Sequence, residues 1–163
     1  MRQLARILDR VLTRTLGVLK WLVLPVSLLL FLQWPLRDWL QAYSREANDL
    51  GQWLFAIYVA ASVTAATRAG MHLAADAFAR RYTERTRTIL AHIANLLALL
   101  PWALFVALSA RPMILTSLGY WERFPDTGNP GYFLIKLSLW LLAGLILIAI
   151  ALDLLHQVRE GPP

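Results

Sequence analysis

The sequence predicts an all-α integral membrane protein of four transmembrane helices with both termini on the cytoplasmic side. Three observations predict it. The chain has a mean hydropathy of +0.53 and is 58% hydrophobic with only 16% charged residues, where a globular domain carries roughly 25%. Its apolar residues gather into blocks long enough to cross a bilayer, rather than into the narrow stripes that face a soluble core. Its arginines collect in the segments flanking those blocks, where they act as topology signals. That distribution argues against nucleic acid as the partner of the net charge of +6. The absence of cysteine excludes disulfides and thiolate metal sites.

Residues 1–20 place Arg2, Arg6, Arg10 and Arg14 four apart, with Leu4, Ile7, Leu8, Val11 and Leu12 largely opposite. This spacing predicts a basic amphipathic helix suited to anionic headgroups. No small-x-small cleavage site follows the apolar run, which continues Gln33-Trp34-Pro35, so a retained anchor is expected rather than a signal peptide. The first span is predicted over residues 16–34, with Lys20 snorkelling, Trp34 and Trp39 at the far interface and a kink at Pro25.

The second span is predicted over residues 50–67, about 27 Å of helix. Ala56, Ala60 and Thr64 repeat every fourth residue there. Small residues let helix backbones approach where lipid supplies no hydrophobic drive, so this face is expected to pack internally or against another membrane chain.

Next comes the longest polar interruption. Arg68, His72, Asp76, Arg80 and Glu84 recur at intervals of four, with Met71, Ala74, Ala75, Phe78, Ala79 and Tyr82 on the other side. The pattern predicts a cytoplasmic amphipathic helix over residues 71–86, with Gly70 breaking it from the span before. Pairs such as His72–Asp76 are worth only about 0.2–0.5 kcal/mol each, so the ladder is expected either to contact lipid or another subunit or to be a solvated positive loop that only sets topology.

The third span is predicted over residues 89–109, where His92 and Asn95 are expected either to bond a neighbouring helix or to serve a proton relay or a ligand. Proline and glycine density predicts a periplasmic loop over residues 111–131, with Tyr120, Trp121 and Phe124 at the interface or offering a docking surface. The fourth span is predicted over residues 132–152, with the whole chain forming a single membrane domain.

Orientation follows from the basic residues. Arg2, Arg6, Arg10, Arg14 and Lys20 precede the first span's core, Arg68, Arg80, Arg81, Arg85 and Arg87 occupy the second connection, and Arg159 follows the fourth span. Only Arg37, Arg45, Arg111 and Arg123 lie in the other connections. The positive-inside rule therefore places both termini and the central connection in the cytoplasm.

No metalloprotease, phosphate-loop, nucleophile-elbow or dinucleotide-binding signature occurs, so the chain reads as a non-enzyme without a cofactor. The three histidines, His72, His92 and His156, map to the cytoplasmic ends of helices. Only His92 lies within a span, which makes a haem- or quinone-associated membrane anchor the alternative reading.

The four-span plan and its motifs carry a resemblance. Arg37 follows the first span, Asp49 opens the second with Glu46 a turn earlier, and Arg68-Ala69-Gly70-Met71-His72 is followed by Asp76. In this order, over residues 15–155, the chain resembles the small membrane (DctQ-type) subunit of tripartite ATP-independent periplasmic (TRAP) transporters. It departs from that family's pattern at Asp49, where the family favours glutamate. The resemblance implies a scaffold in the bacterial inner membrane that supports a large, elevator-type permease subunit. It further implies docking of a periplasmic substrate-binding protein and sodium-coupled uptake of organic acids. The expected subunit or lipid contacts are Ala56, Ala60, Thr64, Arg68, His72, Asp76 and Arg80. The expected periplasmic-side contacts are Arg37, Glu46, Asp49 and Trp121.

Overall fold

The computed structural model describes residues 2–40, 44–69 and 83–160. These stretches are helical apart from short connections, the longest of them residues 120–131, which holds an isolated antiparallel bridge, Arg123 to Pro130. Helix α1 (Arg2–Leu19) runs through a single 3-10 turn, Lys20–Leu22, into α2 (Val23–Asp38). Pro25 has no N–H to offer the carbonyl of Trp21, so the backbone tightens over that turn. The apolar stretch thus extends over Ala5–Leu36, longer at both ends than the span predicted.

Helix α3 (Arg45–Arg68) begins at Ser44, whose hydroxyl accepts from the Ala47 N–H at 3.1 Å. Glu46 accepts from the same hydroxyl at 3.1 Å and sits where a negative charge favours a helix start. The chain resumes at Thr83, which caps α4 (Glu84–Ala94) by accepting from the Thr86 N–H at 3.3 Å. Thr83 is extended, so no helix runs unbroken from 71 to 86, and Glu84 opens α4 instead of continuing the arginine ladder. His72, Asp76 and Arg80 lie outside the described residues.

A five-residue π-helical segment, Asn95–Leu99, joins α4 to α5 (Leu100–Ser109), with Pro101 in the first turn of α5. The proline cannot bond the carbonyl four residues back, and the wider turn absorbs the missing bond. Residues 111–119, expected as loop, form α6 (Arg111–Gly119). Pro112 lies in its first turn, where its missing N–H costs nothing. The proline density that predicted a loop marks a helix start. Helix α7 (Tyr132–Glu160) closes the chain.

Among the described residues, four helical stretches are long and apolar enough to cross a membrane: Ala5–Leu36, Arg45–Arg68, Ile89–Gly119 and Tyr132–Leu155. Their packing is an open row. α3 packs most extensively on α7, α2 lies against α3, and α5 lies against α7. The order across the row is therefore first, second, fourth, third span. The inner two helices hold most of the buried side chains, while Leu97, Phe105 and Leu108 on α5 and its approach, and Phe31 on α2, face outward, as a lipid solvent permits.

Helix α1 crosses to both inner helices. Leu12 is buried in a cluster with Leu145, Ala149 and Leu152 of α7, flanked by Leu8 and Leu16. Of the apolar edge predicted to rest on headgroups, Leu8 and Leu12 cover protein, while Ile7 and Val11 stay exposed. On the far side of α7, Ile146 and Ile150 enclose Ala103 of α5, and the Trp140 indole donates to the Ala107 carbonyl at 2.9 Å.

Candidate functional site

The polar side chains gather in two layers, one at each end of the helices. At the end where α3 finishes, the Arg68 guanidinium donates to Asp9 Oδ1 at 2.6 Å and to Thr13 Oγ1 at 3.1 Å. Asp9 and Thr13 are one turn apart on α1, so a single planar donor meets both and ties α1 to α3. Opposite them, His92 Nδ1 and Asp153 Oδ2 are 2.9 Å apart, and the Asn95 amide donates to the same oxygen at 3.3 Å. His92 and Asn95 share a helix face three residues apart and fasten the third span to α7. A cavity of about 310 Å³ separates the two fastenings, lined by Asp9, Arg68, His92, Asn95 and Asp153 above an apolar floor of α7.

Both members of the Arg68–Asp9 pair retain solvent, so the coupling is modest. A double-mutant cycle of Arg68→Ala and Asp9→Ala, read by thermal unfolding in detergent, is expected to give about 0.2–1 kcal/mol.

At the other end the connection between α6 and α7 is folded down onto the start of α3. Asp49 is only 7% exposed. It accepts from the Thr127 hydroxyl at 2.5 Å and from the Asn129 amide at 3.1 Å. The Arg123 guanidinium donates to the Gly128 carbonyl at 3.2 Å, and the Phe124 ring is buried edge-on against Tyr132. Phe124 therefore packs inward and joins neither an interfacial belt nor a docking surface.

Lys136, left unexplained by the sequence, donates to the Glu122 carboxylate. Ser117 donates to that oxygen too, at 2.5 Å. The Lys136 bond, then the Ser117 bond, holds the Glu122 carboxyl below its ordinary pKa. This fastening therefore persists at neutral pH and is lost as pH falls through the lowered value.

Helix α6 ends in a six-residue hydrogen-bonded cap. The Glu122 N–H donates to the Ser117 carbonyl at 3.0 Å and the Trp121 N–H to Leu118 at 3.2 Å. That arrangement needs a left-handed residue, ordinarily glycine, next to last in the cap. Here the position is Trp121, with φ of 48°. A bulky residue there costs about 1–3 kcal/mol. Its indole meets Phe133 edge-on at 5.3 Å and remains 69% exposed.

The layers are a membrane apart. Asp49 and Arg68 lie on one continuous helix, and their separation in sequence corresponds to about 28 Å of rise, close to the roughly 30 Å of hydrocarbon in a bilayer. The same spacing recurs from His92 to Arg111.

Among the residues singled out from sequence, Ala60 and Thr64 are buried inside this chain, and the Thr64 hydroxyl donates to the Ala60 carbonyl at 3.0 Å. Ala56 is half-buried. Arg37 lies in the last turn of α2. The partners Asp9, Thr13, Thr127 and Asn129 had no periodic or motif signal to mark them; they sit far from Arg68 and Asp49 in sequence.

Residues 26–160 match the family of tripartite ATP-independent periplasmic transporters, DctQ component. The chain belongs to that family. No curated protein and no solved structure matches it. As a DctQ component it is a small membrane subunit of a TRAP transporter, in a family of transport components rather than of enzymes. Arg68, Asp49 and the Glu122–Lys136 pair lie within the matched stretch, whereas Asp9 and Thr13, which bind Arg68, precede it.

Proposed function

We propose that this DctQ component is the fixed scaffold of a sodium-coupled TRAP transporter for organic acids. It stands beside the large elevator-type subunit in the bacterial inner membrane and offers its outer surface to the periplasmic binding protein. The carrying observation is that the charged side chains of both polar layers are engaged with neighbouring helices or loops. Such cross-links suit a rigid body that a moving partner works against.

The arginine count sets the Arg68 layer, with both termini, in the cytoplasm and the Asp49 layer at the periplasmic face. The exposed sides of α2 and α5 supply the width for a large membrane partner. His72, Asp76 and Arg80 belong to the cytoplasmic connection and are proposed to touch that partner or lipid headgroups. Arg37 and Glu46 are proposed to contribute to the periplasmic face.

Affinity purification from native membranes tests the reading. A large, many-span subunit is expected to co-purify in stoichiometric amount, and replacing His72 and Asp76 is expected to reduce its recovery. Purification without that subunit, or a Soret band in the purified protein, would favour a haem-associated anchor instead.

A further inference from the structure

We propose that the cavity between the Arg68 and His92 fastenings holds the headgroup of a phospholipid bearing a primary amine. The phosphate meets Arg68, and the ammonium meets Asp9 and Asp153. The inference goes beyond the scaffold reading and does not depend on it, because every contact lies within this chain.

Place is the first ground. The cavity, about 310 Å³, lies in the polar layer at the Arg68 end, close to one hydrocarbon thickness from the Asp49 layer. That is the depth of lipid headgroups. The first two spans and the third are separated by α7 in the row, and the cavity bridges them over Ala149, Ile150 and Leu152. A polar rim above an apolar floor suits a molecule of both characters, whereas a free ion gains nothing from the floor.

Charge is the second ground, and it selects the headgroup. Among the described residues the lining carries two carboxylates, Asp9 and Asp153, and one guanidinium, Arg68, beside His92 and Asn95. Sites for anionic lipids are basic, but here carboxylates outnumber the guanidinium. A lone cation would be repelled by Arg68. A zwitterion satisfies both signs: the guanidinium fork matches phosphate, and carboxylates accept from an ammonium. Choline offers no N–H and is held by aromatic faces instead, and no aromatic residue is among the described lining residues.

Access is the third ground. Arg68, Asp9, His92 and Asp153 keep between 28% and 46% of their side-chain surface although all four fasten helices together. A carboxylate accepts from several donors and a guanidinium donates to several acceptors. A headgroup therefore adds to the fastenings without displacing them, and ties α1 and α3 to α4 and α7 through one molecule.

The test uses the purified full-length chain in detergent, stripped of lipid, with phospholipids of matched acyl chains added in mixed micelles. Melting temperature is read against lipid mole fraction. Phosphatidylethanolamine is expected to raise it, with half-saturation about tenfold or more below that of phosphatidylcholine or phosphatidylglycerol. Soluble phosphoethanolamine carries the same charges without acyl chains and is expected to give no rise at millimolar concentration.

Ala91→Leu adds bulk at an exposed position that lines the cavity and removes neither fastening. It is expected to raise the half-saturating mole fraction of phosphatidylethanolamine about tenfold. Asp9→Asn keeps an acceptor for Arg68 while removing the charge, and is expected to do the same. Each variant is compared with its own lipid-free melting, so lost stability does not imitate lost binding. Equal half-saturation by the three lipids overturns the proposal, as does an unchanged response in either variant. A full rise with soluble phosphoethanolamine overturns the lipid assignment and gives the cavity to a soluble ligand.

Discussion

Asp49→Ala is expected to destabilise the protein by about 2–3 kcal/mol, because it removes a buried acceptor of two side-chain hydrogen bonds. Thr127 and Asn129 lose their shared partner, and the connection between α6 and α7 comes away from the start of α3. Thermal unfolding in detergent should show the loss, and limited proteolysis should cut within residues 122–130 where the unaltered chain resists. Asp49→Asn keeps one oxygen acceptor and is expected to lose roughly half as much. Melting and cleavage both unchanged in the alanine variant would mean that Asp49 does not hold the loop.

Ala60→Leu is expected to cost about 1–3 kcal/mol by overpacking, since Ala60 is fully enclosed on the helix that packs most extensively on α7. In lipid, helices associate through close contact of small residues, and a wider side chain forces α3 away from the helices packed on it. Both polar layers depend on that spacing. Ala65→Leu, on an exposed position of the same helix, is the control and should change stability by no more than about 0.5 kcal/mol. Equal melting of the two leucine variants would contradict the packing described for α3.

Much of this architecture was legible in the sequence, for identifiable reasons. The spans were readable because the bilayer imposes a minimum apolar length that few soluble helices meet. The Ala56–Ala60–Thr64 stripe was readable because helical spacing fixes a face, though not what covers it, and Ala60 and Thr64 turn inward. Residues 111–119 were misjudged as loop because proline breaks a helix interior yet favours its first turn; Pro112 is in the first turn of α6.

The fastenings were not legible. Arg68 meets Asp9 across 59 residues and Asp49 meets Asn129 across 80, and no local periodicity connects such positions. The strain at Trp121 was hidden as well, because nothing in the run Leu118-Gly119-Tyr120-Trp121 signals that the tryptophan, not the glycine, takes the left-handed place.

In the role proposed above, this DctQ component is an obligatory but chemically passive support. Uptake by proteoliposomes containing the large subunit, with binding protein outside and an inward sodium gradient, tests it most directly. Uptake is predicted to be negligible without this chain, to appear when it is co-reconstituted, and to be absent when it is present alone. Full uptake by the large subunit alone, or transport by this chain alone, would contradict the account.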